Sequence, residues 1–341
     1  MKKVGYAGVA HIHTPGFVDR LNKRNDVQVK AVWDKEAARA QITADKLGTQ
    51  TVDDLSTILN DDEIEAVIIC SETSDHEELV AKAAAAGKHL FIEKPLGTTG
   101  AAAAKMARAI QDAGVIYQTG YFMRSQPVHR FIKQQLAAGT LGKITRVRHS
   151  NVHDGSLGHW FDPGKGWFED GWMWMTDVEK AGVGGFGDLG SHSLDILLWL
   201  FGDVAQVTAQ VDRAFDHYSC DEYGEGMLRF ENGIIGTLAA GWVDVLRPLP
   251  ILVSGTEGQI YMNDGDVFFR SEHVDGADGK QPWTDLPEAL PHAFELFLDA
   301  IVGKDVELID VNDMVAHATV MEAFYEGAAN NTWVQIEKPT F

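Results

Sequence analysis

Short apolar segments alternate with longer amphipathic segments over the first 120 residues of the chain. Runs rich in β-branched residues predict strands, and the segments between them have helical composition. Parallel strands need crossover connections of this length, so the pattern predicts an α/β domain with a doubly wound parallel sheet over residues 1–122. The predicted strands are 4–7, 27–33, 66–70, 89–92 and 115–119, and the predicted helices are 14–24, 35–47, 75–86 and 100–113.

The pattern changes after residue 120, where β-rich runs separated by glycine-containing turns predominate. Such runs are typical of antiparallel meanders. We therefore predict a second domain, over residues 123–341, of the α+β class with a large, mostly antiparallel sheet. Its predicted strands are 144–152, 204–215, 226–230, 234–243, 249–254, 259–262 and 267–270, and its predicted helices are 127–138, 187–201, 290–302 and 311–330.

Charge and cysteine content restrict the partners of this chain. With 50 acidic and 29 basic residues, its formal net charge is −21, which repels nucleic-acid phosphates and anionic membranes. Cys70 and Cys220 are the two cysteines, too few for a disulfide framework, and no apolar run approaches the roughly eighteen residues of a membrane span. We expect a cytoplasmic protein that binds neither nucleic acid nor membrane.

The turn after the first predicted strand resembles a dinucleotide-binding turn. In the comparison with G-x-G-x-x-G, the three glycine positions hold Gly8, Ala10 and His13. Gly8 can form the tight turn, and Ala10 is small enough for a pyrophosphate to approach. His13 replaces the glycine that usually lets the helix pack closely on the strand. Gly8, Ala10, His11, Ile12 and His13 are therefore predicted cofactor contacts.

Asp34, at the end of the second predicted strand, lies where an acidic residue binds the adenosine ribose. Its charge should repel a 2′-phosphate, so NAD is favoured, although Lys35 keeps NADP possible. The alternative is that Asp34 caps the following helix.

The pair His11 and His13 invites a metal interpretation. The sequence shows no carboxylate cluster or third histidine at ligand spacing, so we predict that both line the pyrophosphate turn and that there is no metal site.

Lys94 lies where the strand 89–92 ends, and the carboxyl ends of parallel strands line the ligand crevice. Taken alone, this lysine would more often form a structural salt bridge, and the rest of the chain favours a functional role. A second cluster places Asp188 and His192 four residues apart, on one face of the helix 187–201. A carboxylate beside an imidazole fixes the tautomer that a general base needs, whereas the alternative is a helix cap and an incidental histidine.

The segment 85–96 (A-A-G-K-H-L-F-I-E-K-P-L), followed by Q-T-G-Y-F-M-R at 118–124 and G-D-L-G-S-H-S-L-D at 187–195, resembles the Gfo/Idh/MocA family. The resemblance implies a Rossmann domain followed by an α/β domain with an open-faced sheet, through which members form dimers or tetramers. It also implies an NAD(P)-dependent oxidoreductase acting on sugars or cyclitols. By position, Lys94 belongs to the E-K-P motif and Asp188 and His192 to D-x-x-x-H.

The resemblance implies further contacts with the cofactor. Glu93 and Pro95 flank the lysine and are expected to shape the nicotinamide pocket. Many members have T-P-x-x-x-H after the fourth strand, where this chain has S-E-T-S-D-H at 71–76, without the proline. The remaining predicted cofactor contacts are Ser71, Glu72, His76 and Arg124.

An aromatic segment, residues 153–174, is rich in tryptophan and histidine. Flat rings stack on the C–H face of a sugar, so Trp160 and Trp174 are predicted substrate contacts together with His153, His159 and Arg124. The alternative is packing of a long loop or an oligomer interface. No basic cluster accompanies the segment, which favours an uncharged polyol, although Arg124, Arg146 and Arg148 keep an acidic sugar possible.

The predicted reaction is hydride transfer between a secondary alcohol and nicotinamide. His192 would take the hydroxyl proton, Asp188 would orient His192, and Lys94 would stabilise the developing alkoxide. Two alternatives remain: a glycoside-cleaving enzyme that oxidises and re-reduces its substrate with the same NAD, and a non-catalytic sugar or NAD sensor.

Overall fold

Six parallel strands form the first sheet of the computed structural model, which describes residues 1–337. They lie in the order β3-β2-β1-β4-β5-β6, so the chain reverses direction across the sheet between β1 and β4. The predicted doubly wound parallel sheet is thus confirmed. The strands are β1 (Lys2–Ala7), β2 (Val27–Trp33), β3 (Gln50–Thr51), β4 (Ile64–Ile69), β5 (His89–Ile92) and β6 (Tyr117–Thr119), and the helices are α1 (Thr14–Leu21), α2 (Ala37–Leu47), α3 (Ser56–Leu59), α4 (His76–Ala85) and α5 (Gly100–Ala113).

The second sheet has nine strands in the order β14-β13-β12-β11-β7-β10-β9-β8-β15. Only β7 and β10 pair in parallel within the described residues, which confirms the mostly antiparallel prediction. The sequence did not indicate β14, which is polar, or β15, which has two residues. The strands are β7 (Ile144–Val152), β8 (Val204–Asp212), β9 (Tyr223–Phe230), β10 (Ile235–Gly241), β11 (Ile251–Gly255), β12 (Gly258–Asn263), β13 (Asp266–Ser271), β14 (Asp278–Pro282) and β15 (Val334–Gln335).

The long helix α8 covers one face of the second sheet over β7 and β10, and most of its side chains are buried there. The opposite face exposes Tyr223, Met227 and Ile235. Within residues 1–337, no helix is both long enough and apolar enough to cross a membrane. The remaining helices are α6 (Pro127–Ala137), α7 (Val178–Ala181), α8 (Gly185–Phe201), α9 (Ala293–Ile301) and α10 (Val311–Asn330), and three-residue or four-residue 3₁₀ turns lie at Thr73–Asp75, Phe122–Ser125 and Met173–Thr176.

Helix α9 returns to the first sheet. Phe294 stacks on Phe17 with ring centroids 4.4 Å apart and meets Phe91 of β5 edge to face at 4.9 Å. A segment assigned to the second domain therefore packs on the core of the first. The division at residue 122 stays a prediction, and residues 338–341 of the second range lie outside the described residues.

Arg124 does not lie in a ligand cleft with the other predicted site residues. Its guanidinium donates to Asp195 of α8 at 2.6 Å and to Asp313 of α10 at 3.1 Å. Asp195 is fully buried, so the pair ties the turn after β6 to both helices. Two carboxylates therefore bind the Arg124 guanidinium, and its contact with cofactor and substrate stays a prediction.

Replacing Asp195 by alanine should destabilise the fold, because it leaves the Arg124 charge buried with only Asp313 as its partner. We expect the free energy of unfolding to fall by about 3 kcal/mol, measured by urea denaturation followed by circular dichroism. The control is Glu77→Ala, which removes the exposed Lys105–Glu77 pair. This substitution should change the free energy of unfolding by less than about 1 kcal/mol. Equal effects of the two substitutions would contradict the structural role of the Arg124–Asp195 pair.

Candidate active site

Lys94 and Asp188 form a buried ion pair. Lys94 directly follows β5 and Glu93, and its side chain is 2% exposed. Its Nζ donates to Oδ1 of Asp188 at 2.6 Å, and Asp188 lies in the first turn of α8. The Lys94–Pro95 peptide bond is cis. Lys94 does form a salt bridge, as the structural alternative required, but its partner is the other predicted catalytic residue of the pair, Asp188.

Trp242 supplies the second hydrogen bond to Asp188. Its indole Nε1 donates to Oδ2 at 3.0 Å, and the residue is fully buried just after β10. Burial acts to raise the pKa of Asp188, but the charge and hydrogen bond of Lys94 hold it well below its usual range. The carboxylate is therefore ionised. Sequence reasoning missed Trp242, because nothing in its neighbourhood distinguishes it from a core tryptophan.

His192 lies one turn further along α8, between aromatic rings. Tyr121 meets its imidazole edge to face at 5.6 Å and Phe122 lies 5.2 Å away. Asp188 was expected to orient this imidazole, but its two carboxylate oxygens accept from Lys94 and Trp242 rather than from His192. Nδ1 of His192 is buried without a hydrogen-bond partner among residues 1–337.

The imidazole of His192 is neutral in this environment. Burial lowers its pKa well below 6.5, and the positive charge of Lys94 lowers it further. Asp188 acts in the opposite direction but does not prevail. A neutral ring is the form that can accept a proton.

Glu93 lies beside the two histidines of the first turn. His13 Nδ1 is 3.1 Å from Oε1 of Glu93, and His11 Nε2 is 3.8 Å from Oε2. The prediction that no carboxylate accompanies this pair is therefore wrong. Strands β1 and β5 flank β4, so the turns after both meet at one edge of the sheet, although they are far apart in sequence.

The hydrogen bonds of this cluster favour a role other than metal binding. The backbone N–H of His13 donates to His11 Nδ1, which puts the proton of the neutral His11 ring on Nε2, the atom that faces Glu93. Burial lowers the pKa of His11 to about 3, so the neutral form prevails. A protonated Nε2 has no lone pair for a cation, and the absence of a metal site stays a prediction.

The first turn has the tight geometry that dinucleotide binding needs. Gly8 has a φ of +88°, and a Cβ there would lie 2.5 Å from the Cβ of Ser71, so only glycine fits. Trp174 donates its indole N–H to the carbonyl oxygen of Ala10 at 2.9 Å. The prediction that Trp174 stacks on a sugar is corrected, since its ring is buried against this turn, with His11 5.8 Å away.

Asp34 is buried at the end of β2. Its Oδ2 accepts from the Val9 N–H at 2.7 Å and its Oδ1 from the Glu36 N–H at 2.8 Å. Glu36, rather than Asp34, precedes the first residue of α2 as its N-cap. Only 1% of the Asp34 side chain is exposed, because Arg39 covers it. Asp34 therefore shapes the adenosine end of the cleft without facing it.

A cavity of about 780 Å³ lies over this end of the first sheet. Lys35, Arg39 and Glu72 line one wall, and Trp174 and Tyr218 line the other. Its position beside the first turn and its size fit the adenosine part of a dinucleotide.

The other predicted cofactor contacts support the turns around the cleft. His76 donates through Nδ1 to the carbonyl oxygen of Leu96 at 3.1 Å, which holds the loop after Lys94. Ser71 Oγ donates to the carbonyl oxygen of Glu72, and Ile12 packs against the core. Pro95 lines a separate cavity of about 100 Å³ that also includes Ser191.

The aromatic segment divides between the site and the core. His153 and Trp160 stack with centroids 4.6 Å apart, and Trp160 is 40% exposed. His153 is near enough to help lower the pKa of Asp188, so this stack lies at the rim of the Lys94–Asp188 pair. His159 instead faces Asp162 at 2.9 Å on the surface.

The amino end of α8 is held by groups from outside the helix. The hydroxyl oxygen of Tyr325, on α10, accepts from the N–H groups of Gly184 and Gly187, and Asp221 accepts from Phe186. These bonds satisfy amides that have no partner within a helix. They also fix the turn that carries Asp188.

Tyr325→Phe removes the hydroxyl that satisfies two buried amides. We expect the free energy of unfolding to fall by about 1–3 kcal/mol in urea denaturation. Tyr261→Phe is the matched control, because the Tyr261 ring stacks on Phe268 and the substitution keeps that contact. A Tyr325→Phe protein as stable as this control would show that the contact does not hold α8.

Two protein-family models match most of the chain. One, described as an oxidoreductase family with an NAD-binding Rossmann fold, matches residues 2–121. The other, described as the GFO/IDH/MocA C-terminal domain, matches residues 129–261. The first description confirms the predicted NAD cofactor.

Curated relatives and solved structures extend over nearly the whole chain. The levoglucosan dehydrogenase of Pseudarthrobacter phenanthrenivorans is 26% identical over 333 residues, covering 83% of each protein. The scyllo-inositol 2-dehydrogenase (NAD(+)) of Bacillus subtilis is 28% identical, covering 80% of this chain and 74% of the relative. A solved levoglucosan dehydrogenase, in complex with NADH and L-sorbose, has a TM-score of 0.81 at 21% identity over 99% of both chains, which confirms the fold class.

Proposed function

The chain belongs to the GFO/IDH/MocA oxidoreductase family, and on that premise we propose that it transfers a hydride between a secondary alcohol of a sugar or cyclitol and NAD. The observation that carries the proposal is the buried Lys94–Asp188 pair, which lies one helical turn from the neutral His192. Two similar proteins, the levoglucosan and scyllo-inositol dehydrogenases, oxidise cyclic polyols according to their names. That shared chemistry supports the same substrate class here.

Bound NAD supplies the hydride acceptor, and the protein supplies position and proton transfer. Since Nδ1 of His192 is enclosed, Nε2 is the nitrogen that can meet a substrate hydroxyl and accept its proton. The Lys94 ammonium donates to the same oxygen and stabilises its developing negative charge. Asp188 acts through Lys94, whose Nζ it holds at 2.6 Å, rather than through the imidazole.

The stacked rings of His153 and Trp160 form the proposed sugar platform. Trp160 is exposed enough to meet a ligand, and stacking on C–H groups does not require charge on the substrate. Of the three cations that left an acidic sugar open, Arg124 is bound by Asp195 and Asp313, and Arg146 and Arg148 are exposed on β7. An uncharged cyclic polyol is therefore the proposed substrate.

We also propose a homodimer or homotetramer formed through the open face of the second sheet. Tyr223, Met227 and Ile235 are 38–49% exposed there. Cys70 and Cys220 are both buried free thiols, which suits the reducing cytoplasm that we propose as the location.

Lys94→Ala and His192→Ala should each lower kcat by about 10²–10⁴-fold, the usual contribution of a positioned acid or base. The assay follows nicotinamide absorbance with NAD across free sugars, cyclitols, sugar acids and glycosides. NADH affinity, measured by titration calorimetry, should change by less than about three-fold, since neither side chain is placed on the adenosine cavity. Lys105→Ala and His273→Ala, at exposed positions, are the controls.

Near wild-type turnover in either site variant would refute the assigned roles. Release of an aglycone from a glycoside without net NADH formation would instead identify the redox-cycling cleavage reaction.

The acid limb of kcat/KM for alcohol oxidation should lie below about pH 6.5, the ordinary pKa of a histidine. Oxidation needs unprotonated His192, and burial lowers the pKa of this ring well below 6.5, so activity persists as the pH falls through that value. The measurement is kcat/KM from pH 5 to pH 9 in the oxidative direction. An acid limb at pH 6.5 or above would show that His192 is not the buried base described here.

A further inference from the structure

We propose that Glu72 sets the preference for NAD over NADP by neutralising Lys35 and Arg39, the two cations that would otherwise bind a 2′-phosphate. The inference rests on the proposed function only in taking the cavity of about 780 Å³ as the adenosine end of the cofactor site.

Glu72 is bound on both sides by these cations. Its Oε1 accepts from the two terminal nitrogens of Arg39 at 3.1 and 3.2 Å, and its Oε2 lies 3.2 Å from Nζ of Lys35. Both Arg39 and Glu72 are more than nine-tenths buried. Burial acts to raise the pKa of Glu72, but Arg39 and Lys35 lower it, so the carboxylate is ionised.

Asp34 does not present its charge to the cavity. Its two oxygens accept from backbone N–H groups, and Nε of Arg39 lies 3.4 Å from Oδ1. Asp34 is absent from the residues that line the cavity, whereas Arg39 and Glu72 line it. The acidic group that meets the ligand is therefore Glu72 rather than the residue at the end of β2.

The Glu72 carboxylate acts on the cavity through its charge. Its Oε2 and Nε of Arg39 are buried and make no hydrogen bond within residues 1–337, and this Nε faces Oδ1 of Asp34 at 3.4 Å. A negative charge in the cavity wall repels a 2′-phosphate, whereas a ribose 2′-hydroxyl is neutral. The cluster thus suits the ribose of NAD.

The balance of charges around the cavity also favours NAD over NADP. Four carboxylates and three Lys or Arg side chains line it. Removing the Glu72 charge makes the two numbers equal. It also frees the terminal nitrogens of Arg39 and leaves Lys35 bound by Asp75. Arginine and lysine both pair well with phosphate. The backbone does not require glutamate here, since its φ of −59° suits most residues.

The test compares the dissociation constants of NADH and NADPH, measured by titration calorimetry at fixed ionic strength without substrate. The wild-type protein should prefer NADH. Glu72→Gln, which keeps the shape, should lower the ratio of the NADPH constant to the NADH constant by at least about ten-fold, mainly through tighter NADPH binding. The double variant Glu72→Gln/Lys35→Met should lose part of that gain.

Asp75→Asn is the matched control. Asp75 also binds Lys35, at 2.7 Å, but it does not contact Arg39 and is about one-third exposed. The ratio should change by less than about three-fold. Lys35→Met alone should also leave the NADPH constant within about three-fold, because Glu72 and Asp75 already hold this lysine.

The outcomes separate the inference from the proposed function. An unchanged ratio in folded Glu72→Gln protein that binds NADH, or a wild-type preference for NADPH, would overturn the role of Glu72 alone. A ten-fold loss of NADPH affinity in Lys35→Met would also overturn it. Failure of the wild-type protein to bind either nucleotide would overturn the proposed function as well.

Discussion

The buried ion pair between Lys94 and Asp188 is the contact on which the rest of the site depends. It joins the end of β5, in the first sheet, to the first turn of α8, on the second sheet. A buried charge that loses its partner costs several kcal/mol, so the two layers are held where Nζ and the carboxylate meet. Trp242 completes the arrangement from β10, and His192 follows one turn later on the same helix.

Helix α8 is positioned by groups that lie far away in sequence. Tyr325 and Asp221 bind the amides at its start, and Arg124 binds Asp195 in its middle. The aromatic contact between Phe17 and Phe294 brings α9 back onto the first sheet. The turn that carries the proposed catalytic residues is thus fixed from both layers, which is a condition for placing a proton acceptor accurately beside a substrate hydroxyl.

Elements with a strong apolar pattern were predicted closely, and weakly patterned ones were not. The bounds of β2, β5, β7, α5 and α10 agree with the prediction to the residue. β3 and β15 have two residues each and β14 is polar, so their pairing depends on the edge of an existing sheet rather than on their own composition. Helix α2 begins two residues later than predicted, because the Asp34 carboxylate binds the Glu36 N–H before the helix starts.

The sequence by itself determined the fold class, the nucleotide-binding turn and the proposed catalytic residues Lys94, Asp188 and His192, because strand and helix periodicity and short motifs are local properties. Tertiary structure decided which groups bind one another. Asp188 pairs with Lys94 and Trp242 instead of His192, Glu93 joins His11 and His13, and Trp174 binds the first turn. Each carboxylate or indole has few hydrogen-bonding positions, and which partner fills them depends on distances between segments that local sequence patterns do not encode.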